Sequence, residues 1–539
     1  MLLTRTKSRN PVLCLIYLHV FTFIFLSAFN TKGYAQTCSY PTGFQLIEGK
    51  NATPPSTTLQ KPQKGISYKD PVYGTCAVRI TNHVAEGLPT FARNDYSRRQ
   101  AFNANNTIML VYDYEGWWHI YNANTYQHIR RLPGPSQGLG GDAEPQWHPT
   151  NPDLLYFVPT NGGTTLKEIN VTTDAIRVVA DFRTRLPWTN AAHIWTKSEG
   201  SPSADGRYWG FQVETASFAL LGYMIYDMVL DSVIATKAYT NRPDNCSMSP
   251  SGRYFVTSNF NPEGTVMYTR DLQTQKQIFG TVEHADMALN EKGEDVFVWA
   301  HYSAQPPVQY SGYVTAYNMD TGEYFTLFGL YANGTSPAIH FSGKAFNRPG
   351  WMEVSTYGTS GETWNDNKIL VFELKPNGRI LNIGHTYNNV CGDYFSETQA
   401  SVNRDLTKIV WNSNWGAGCM DSIDVYMITL PPDAIPTAVK DDKPLAGGSL
   451  QTKNFSILSN PAETTIKFHV ERSSPVQIKI FNHLGQQITT LLNEQKLAGT
   501  YSVKWNGKSG FNKKLPNGIY FCNLYVGNSS YTQKIMLLQ

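Results

Sequence analysis

A pattern that returns seven times between about residues 76 and 430 limits the folds open to this chain. In each copy a short apolar strand ends in a turn rich in Asn, Pro, Asp and Gly, and a second apolar strand follows. The turns start at intervals of 45, 55, 46, 41, 57 and 56 residues. Intervals of this length with several strands in each are typical of β-propeller blades. The aligned turn starts are Asn103, His148, Ser203, Ser249, Asn290, Asn347 and Asn403.

Each copy has room for a four-stranded meander. In the fifth copy, apolar runs predict strands near 284–289, 295–301, 312–318 and 323–328, separated by turns that contain Gly and Asp. The seventh copy has room for three strands. We therefore predict that the isolated strand at 76–83 completes the last blade and closes the ring, which removes exposed strand edges. An open series of sheets or a β-sandwich is the weaker interpretation, because seven copies share one register.

The first 35 residues have the features of a secretory signal peptide. Arg5, Lys7 and Arg9 precede an almost wholly apolar run at 12–29, and the small residues of Gly33-Tyr34-Ala35 predict cleavage before residue 36. An uncleaved membrane anchor is the alternative, because the apolar run approaches spanning length. No other stretch is apolar enough to cross a bilayer, so we expect no transmembrane segment in the mature protein.

The net charge argues against nucleic acid as a partner. The whole chain has a formal charge of +3, but four basic residues and no acidic ones lie in the first 35. Removing that segment leaves 41 basic against 42 acidic residues. A nearly neutral mature protein does not bind nucleic acid through bulk charge.

The cysteines agree with export. Six remain after residue 35, with no C-x-x-C or paired Cys/His spacing that would predict a structural zinc site. Outside the cytoplasm, Cys38 with Cys76 and Cys391 with Cys419 are plausible disulfides, although sequence alone does not fix the pairing. Cys246 and Cys522 are candidates for buried free thiols.

The chain after the repeats has the pattern of a second, smaller β domain. Residues 432–451 are rich in Pro, Asp, Lys, Gly and Ser, which indicates a linker between a propeller at 76–431 and a tail at 452–539. Residues 36–75 form an N-terminal arm. Strand-like runs in the tail predict a small antiparallel sandwich. The predicted fold class is therefore all-β, with a seven-bladed β-propeller followed by a small C-terminal β-sandwich.

The tail closely resembles the type A C-terminal sorting domain of the type IX secretion system of Bacteroidota. The matching residues are Asn460-Pro461, the run at 476–485, Ala498-Gly499-Thr500, and the ending that contains Asn517-Gly518-Ile519-Tyr520. The resemblance implies that the type IX machinery is a partner. It also implies that the protein is secreted or held at the outer cell surface.

Polar residues concentrate just before the turn in every copy, where the inner strands of a propeller begin and line its channel. Only 16% of the residues are charged, so this concentration predicts a ligand at the channel mouth. The same residues also suit a hydrated channel or contacts between blades. The candidates for substrate binding are Glu144, Glu199, Asn245 and Glu397. The others are Arg98, Arg99, Asp142, Asp244, His284, Asp286, His340, Ser342 and Gln399.

Exported propellers with converging His, Tyr and Arg residues resemble the β-propeller polysaccharide lyases of the oligogalacturonate and ulvan types. That resemblance implies a base that removes the proton next to a uronate carboxylate, and an Arg or a metal ion that neutralises the carboxylate. His284 or His193 is then the candidate base, with His340 beside it, a Tyr as the acid, and Arg98 or Arg99 as the carboxylate clamp. His284, His340 and Glu397 could instead hold a divalent metal ion, the one cofactor we consider.

Aromatic residues at a hairpin add to the expectation of a glycan ligand. Trp117 and Trp118 follow a turn, and exposed Trp faces suit sugar rings. The alternative is that both are buried between blades, as most aromatic side chains of a propeller are. The chain has no G-x-S-x-G motif and no phosphate loop or dinucleotide fingerprint. Two hypotheses follow. One is an exported propeller that binds and cleaves an acidic polysaccharide by β-elimination, and the other is a non-catalytic propeller for glycan or protein binding.

Overall fold

A computed structural model describes most of the chain in two compact units, Met1–Lys440 and Asp441–Gln539. The signal peptide proposed at 1–35 lies outside the described residues, as does the linker proposed at 432–451 apart from its first five positions. The described residues are 38–160, 162–197, 199–258, 263–282, 284–358, 363–436, 455–459, 464–470, 474–482, 486–497, 499–510, 513–526 and 529–537.

The N-terminal arm supplies short strands that join later sheets. Its elements are β1 (Ile47–Glu48), β2 (Ser67–Lys69), β3 (Cys76–Arg79) and the one-turn helix α1 (His83–Glu86). β1 pairs with the outer strand of the sixth blade, and β2 pairs with β3. Neither addition is predicted by the repeat pattern.

Blades 1 to 4 are four-stranded antiparallel sheets in which neighbouring strands are consecutive in the chain. Blade 1 has β4 (Ala92–Arg93), β5 (Ile108–Asp113), β6 (Trp118–Asn122) and β7 (His128–Arg131). Blade 2 has β8 (Gln146–Trp147), β9 (Leu154–Phe157), β10 (Thr165–Asn170) and β11 (Ile176–Asp181). Blade 3 has β12 (Ala191–Trp195), β13 (Tyr208–Thr215), β14 (Leu220–Asp227) and β15 (Ser232–Ala238). Blade 4 has β16 (Asn245–Met248), β17 (Tyr254–Ser258), β18 (Thr265–Thr269) and β19 (Gln275–Phe279).

Blades 5 to 7 continue the series. Blade 5 has β20 (Ala285–Leu289), β21 (Asp295–His301), β22 (Tyr313–Asn318) and β23 (Tyr324–Gly329). Blade 6 has β24 (Ala338–Ser342), β25 (Trp351–Tyr357), β26 (Lys368–Glu373) and β27 (Ile380–His385). Blade 7 has β28 (Ser401–Val402), β29 (Lys408–Ser413) and β30 (Asp424–Thr429). Four single 3-10 turns lie in the loops, at Pro135–Gln137, Val308–Tyr310, Tyr394–Ser396 and Met420–Ser422.

The N-terminal strand β3 closes the ring. It pairs with β30 through Ala77 opposite Ile428 and Val78 opposite Met427, which gives blade 7 its fourth strand, as the sequence predicts. Between 38 and 436, the described residues form seven sheets joined by seven apolar clusters. Six clusters join consecutive blades, and the seventh packs Val410 and Met427 of blade 7 against Met109 of blade 1. The all-β propeller prediction is confirmed.

Both predicted disulfide pairings are confirmed. Cys38 is bonded to Cys76 at the start of β3, and Cys391 is bonded to Cys419 in blade 7. Cys246 and Cys522 are buried free thiols, as the sequence predicts.

The C-terminal unit is a small antiparallel sandwich with its own core. One sheet has the order β31-β32-β35 and the other β34-β33-β36-β37. Buried side chains from both sheets, including Ile466, Phe468, Ile478, Trp505 and Leu524, form its apolar centre. Its strands are β31 (Phe455–Ser459), β32 (Thr464–Val470), β33 (Ser474–Asn482), β34 (Gln487–Lys496), β35 (Gly499–Trp505), β36 (Gly518–Val526) and β37 (Ser529–Leu537). Within the described parts of the chain, no helix has the length and apolar character to span a membrane.

Candidate functional site

The chain between β4 and β5 crosses the channel and fills its centre. Tyr96 lies against His340 of blade 6, with ring centroids 5.7 Å apart. Two residues further on, the Nη1 atom of Arg98 donates to Glu199 Oε2 of blade 3 at 2.8 Å. Contacts with well-separated blades require the segment 94–100 to lie across the channel. We call this segment the plug.

The plug corrects one expectation about blade 1. The repeat pattern predicts an inner strand that runs up to the turn at Asn103. The structure instead has a two-residue strand, β4, then the plug, and then an isolated bridge between Phe102 and Met109. The polar plug makes its hydrogen bonds with other blades, so it cannot continue the ladder of blade 1.

Two histidines lie side by side at the end of the channel where the inner strands begin, which we call the upper mouth. His284 immediately precedes β20, and His340 lies in the middle of β24. Their ring centroids are 4.6 Å apart, edge to face. Tyr357 stacks on the other side of His340 at 5.0 Å. Neighbouring inner strands therefore bring together two residues that are 56 positions apart in sequence.

His340 is held by two side chains of blade 7. Its Nε2 atom lies 2.9 Å from Glu397 Oε2 and 2.9 Å from Gln399 Nε2. Gln399 Nε2 also donates to Glu397 Oε2 at 3.0 Å. These contacts occupy the His340 nitrogen that would face a metal ion. Across the described residues, no group of three or more His, Cys, Asp or Glu side chains is arranged to hold a metal, and this includes His284, His340 and Glu397.

Both histidines are uncharged at neutral pH. Burial, His340 and Arg98 lower the pKa of His284 to about 3. Burial, helped by Arg98 and Arg93, holds the pKa of His340 well below its usual range. Burial also raises the pKa of Glu397. His284 Nδ1 is buried and has no hydrogen-bond partner among the residues the structure describes. His284 is therefore a neutral imidazole whose buried Nδ1 atom has no described partner.

Charged residues of the plug and three blades surround this pair. Arg98 and Asn245 both donate to Glu199 Oε2, at 2.8 and 3.1 Å. With Asp286 they line a narrow cleft with a volume of about 20 Å³. Asp286 Oδ1 accepts from Lys344 Nζ at 3.0 Å. The structure thus groups His284, His340, Glu397, Arg98, Glu199 and Asn245 around one mouth.

Four residues that the sequence proposes as site residues serve other contacts. Glu144 is buried and accepts from Thr196 N and Oγ1, so it fixes blade 2 to blade 3. His193 stacks on Phe218 of blade 3, with centroids 4.4 Å apart. Arg99 pairs with Asp95 inside the plug at 2.6 Å.

The fourth is Trp118, which has no exposed surface and donates to the Gly140 carbonyl at 2.8 Å. Its burial removes it from any sugar-binding face. Its neighbour Trp117 is only partly buried, and its ring lies 3.9 Å from the Arg131 guanidinium.

The sequence misses several residues at the upper mouth. Tyr96 and Tyr357 contact His340, and Arg93 lies between the rings of Tyr394 and Phe395 at 5.3 and 5.6 Å. Of these, Arg93 could be suspected from sequence as a cation close to Arg98. The tyrosines belong to a chain with 31 such residues and carry no distinguishing local pattern.

A family model for the secretion system C-terminal sorting domain matches residues 456–538. The tail is a type IX sorting domain, as the sequence predicts. The protein is secreted or held at the outer cell surface. A search of curated proteins finds no match.

Solved structures similar to this chain include two oligogalacturonate lyases and a β-propeller domain. An oligogalacturonate lyase in complex with manganese is 16% identical with a TM-score of 0.45, over 68% of this chain and 96% of that one. An oligogalacturonate lyase from Vibrio parahaemolyticus is 12% identical with a TM-score of 0.46, over the same shares. A β-propeller domain from Myceliophteria thermophila is 11% identical with a TM-score of 0.37, over 63% of this chain and 98% of that one. These similarities concern the propeller fold.

Proposed function

We propose that this exported protein binds an acidic polysaccharide at the upper mouth and cleaves it by β-elimination. The observation that carries the proposal is the pair of adjacent neutral histidines, His284 and His340, beside the Arg98 guanidinium. Export would begin at the signal peptide proposed at 1–35 and end with the sorting tail.

His284 is suited to be the base. Its neutral imidazole would take the proton from the carbon next to the uronate carboxylate. The electron pair left on that carbon forms a double bond to the neighbouring ring carbon, and the glycosidic C–O bond breaks. A pKa of about 3 makes the free imidazole a weak base. A bound carboxylate would raise it, because a nearby negative charge favours the imidazolium.

Tyr394 is suited to protonate the leaving oxygen. The residue is half exposed, so a glycan can reach it. Burial of its phenol, with Glu199 and Glu397 close by, raises its pKa. It therefore stays protonated at neutral pH and has a proton to give.

Two guanidinium groups, that of Arg93 and that of Arg98 in its pair with Glu199, are suited to an acidic sugar. Arg98 and Arg93 lower the pKa of His340 through their charge, so both guanidinium groups act on the same space. A carboxylate placed there would gain charge-assisted hydrogen bonds that a neutral sugar cannot form.

The test is to incubate the full chain with polygalacturonate, alginate, ulvan and glucuronan and to follow the ultraviolet absorbance of unsaturated products. We expect one of these to be cleaved, and His284→Ala to lower the rate by about 10²- to 10⁴-fold. His128→Gln, an exposed histidine on the outer strand of blade 1, is the control and should keep the rate.

Absence of product with all four substrates would refute the lyase proposal. In that case, retention of the protein on a uronate column would favour the alternative, a non-catalytic propeller that binds glycans. Equal loss of activity in His284→Ala and His128→Gln would show that the base lies elsewhere.

A further inference from the structure

In the described part of the propeller, the exposed aromatic side chains lie at one end of the channel. Among residues 38–436, five Tyr and Phe side chains have between 39% and 51% of their surface exposed: Tyr114, Phe218, Tyr313, Tyr331 and Tyr394. Each lies in or next to a connection from the second to the third strand of a blade, or from the last strand to the next blade. In an antiparallel meander these connections share the end where the inner strand begins. All five side chains therefore lie on the face of the upper mouth.

Two of the five belong to a continuous group of rings on blades 7 and 1. Because β4 and β5 are antiparallel neighbours, Phe91, which precedes β4, lies next to Tyr114, which follows β5. The centre of the Phe91 ring is 5.6 Å from that of Tyr114 and 5.2 Å from that of Phe395. The rings of Tyr114 and Phe395 are 6.2 Å apart, and those of Phe395 and Tyr394 are 5.6 Å apart. We call Tyr114, Phe395 and Tyr394 the aromatic platform.

The aromatic platform is held in place before any ligand arrives. Phe91 has no exposed surface, so it supports the exposed rings from the interior. Phe395 is the middle residue of a 3-10 turn, and the next residue, Ser396, is bound at both of its backbone groups. The Ser396 N–H donates to the Asp393 carboxylate at 2.9 Å, and its carbonyl accepts from Asn388 Nδ2 at 2.6 Å. Rings fixed in this way lose little conformational freedom on binding, which favours affinity.

The aromatic platform is continuous with the upper mouth. Its inner end, Tyr394, is the acid of the proposed reaction. The guanidinium of Arg93 lies 5.3 Å from the centre of the Tyr394 ring and 5.6 Å from that of Phe395. Arg93 is buried, but its charge acts over a distance, because it also contributes to the lowered pKa of His340. A chain of acidic sugars on the platform would therefore meet both ring faces and a nearby positive charge.

We propose that the aromatic platform is a subsite for sugar residues beyond the bond that is cleaved, and that the protein therefore prefers long acidic chains to disaccharides. This subsite rests on the proposed function, because its ligand is the same acidic polysaccharide. Tyr suits a sugar, since its apolar ring ends in a polar hydroxyl group. The rings extend outward from Tyr394 to Tyr114, as an extended polymer requires. Three partly exposed rings offer far less area than the roughly 800 Å² that each partner buries in a stable protein interface.

The first test is affinity electrophoresis of the full chain in native gels that contain polygalacturonate, alginate, ulvan or glucuronan. We expect at least one polymer to retard the wild type. Tyr114→Ala should weaken binding to that polymer by about 3- to 10-fold, because it loses one ring that packs on the sugars. Tyr114→Phe keeps the ring and should bind as the wild type does.

Chain length separates the platform from the mouth. A disaccharide of the retarding polymer should occupy the mouth alone, so isothermal titration should give the same affinity for wild type and Tyr114→Ala. A hexasaccharide reaches the platform. It should bind the wild type more tightly than Tyr114→Ala, by a factor similar to that found with the polymer.

Phe218→Ala is the matched control. Phe218 is an exposed aromatic residue of the same face, but it lies on blade 3 and its ring is stacked on His193, 4.4 Å away. Circular dichroism checks that each variant is folded. The proposal is overturned if no polymer retards the wild type, if Tyr114→Ala keeps full affinity for the polymer, or if Phe218→Ala loses as much. It is also overturned if Tyr114→Ala loses affinity for the disaccharide and the polymer alike.

Failure of the lyase proposal gives a different result. If no polymer yields unsaturated product but Tyr114→Ala still weakens retention, the reaction is refuted and the subsite is supported. If product forms and Tyr114→Ala is retained as strongly as the wild type, the subsite is refuted and the reaction stands.

Discussion

The two mouths of the propeller channel balance charge in different ways. At the upper mouth, ionisable groups occur in pairs: Arg98 with Glu199, and His340 with Glu397. At the lower mouth, the end of the channel where the inner strands finish, Arg404 contacts the Phe346 ring and the Ala204 carbonyl. The charges of Asp405 and Asp205 act on Arg404 without a direct ion pair among the described residues. Groups in direct contact tune one another's protonation more strongly than distant charges do, because the electrostatic interaction falls with distance. The same inner strands thus place ionisable groups in direct contact at one end of the channel and at longer range at the other.

The largest effect is expected between the two mouths, at the buried ion pair of Asp286, which lines the upper cleft, and Lys344, which like Arg404 contacts the Phe346 ring. Lys344→Met leaves Asp286 buried without its cation, which typically costs about 3–5 kcal/mol of unfolding free energy. Denaturant unfolding measures the loss. The double variant Lys344→Met with Asp286→Asn removes both charges and should recover much of it. If Lys344→Met is as stable as wild type, the ion pair does not stabilise the wall between the two mouths.

Much of the propeller could be predicted, because each blade repeats the same short pattern of apolar strand, polar turn and apolar strand. The strand predicted at 312–318 is observed at Tyr313–Asn318, and the isolated strand that begins at Cys76 joins blade 7. The arm strands β1 and β2 could not be predicted, because two or three residues carry no periodic signal. The plug was also missed, since its partners are as far as 318 positions away, between Asn94 and Asn412.

The candidate site was predicted by position but not by role. Register placed His284, His340, Glu199, Asn245 and Glu397 at one mouth without showing which nitrogen or carboxylate is free. Local geometry could have separated the adjacent tryptophans, because neighbouring residues of a strand face opposite sides and one of the two must face the core. Asp405, whose charge acts on Arg404, is bound by Asn106 and Asn347, which only the folded chain brings together.

The next effect concerns the disulfide between Cys391 and Cys419, which closes the segment of the upper mouth that contains Tyr394 and Glu397. Cys391 and Cys419 are 28 positions apart and flank the loop that carries Tyr394 and Glu397. Replacing both by Ser should cost about 3 kcal/mol by freeing the unfolded chain. Thermal unfolding measures this loss, and titration with trigalacturonate should show weaker binding at the upper mouth.

The second disulfide is the control for that effect. Replacing Cys38 and Cys76 by Ser should also lower stability, because their separation of 38 positions is similar. That bond lies at β3 and does not hold the Tyr394 loop, so binding of trigalacturonate should not change. Equal weakening of binding in both double variants would show that the loss reflects global stability and not the loop.

A smaller effect is expected in the pH dependence of stability through His284. Its folded pKa of about 3 lies below the ordinary histidine value, so the unfolded chain takes up the proton first as the pH falls. Stability should drop by about 2 kcal/mol between about pH 6.5 and about pH 4.5, and His284→Gln should remove that part of the drop. An unchanged slope in His284→Gln would mean that His284 is protonated as easily in the folded chain as in the unfolded one.

The smallest effect comes from Glu353, whose titration has the opposite sign. This carboxyl lies in β25, fully buried, and neither oxygen has a partner among the described residues. Burial, with the charge of Asp286, raises its pKa well above the usual range. The folded chain therefore keeps the proton longer than the unfolded chain. The stability that this protonated form contributes is complete below about pH 4.3 and is lost as the pH rises through the folded pKa.

Glu353→Gln imitates the protonated acid. It therefore separates the pH dependence due to Glu353 from the opposite one due to His284. We expect it to match wild type at about pH 4 and to be more stable than wild type at about pH 9, where wild type must bury a charge or bind a proton. Glu323→Gln, on an exposed turn, should change stability by less than about 0.5 kcal/mol at either pH. If the stability of wild type instead rises relative to that of Glu353→Gln as the pH increases, the fold stabilises the ionised carboxylate. The wall next to Asp286 would then hold two negative charges against the single positive charge of Lys344, and an anionic boundary would separate the two mouths.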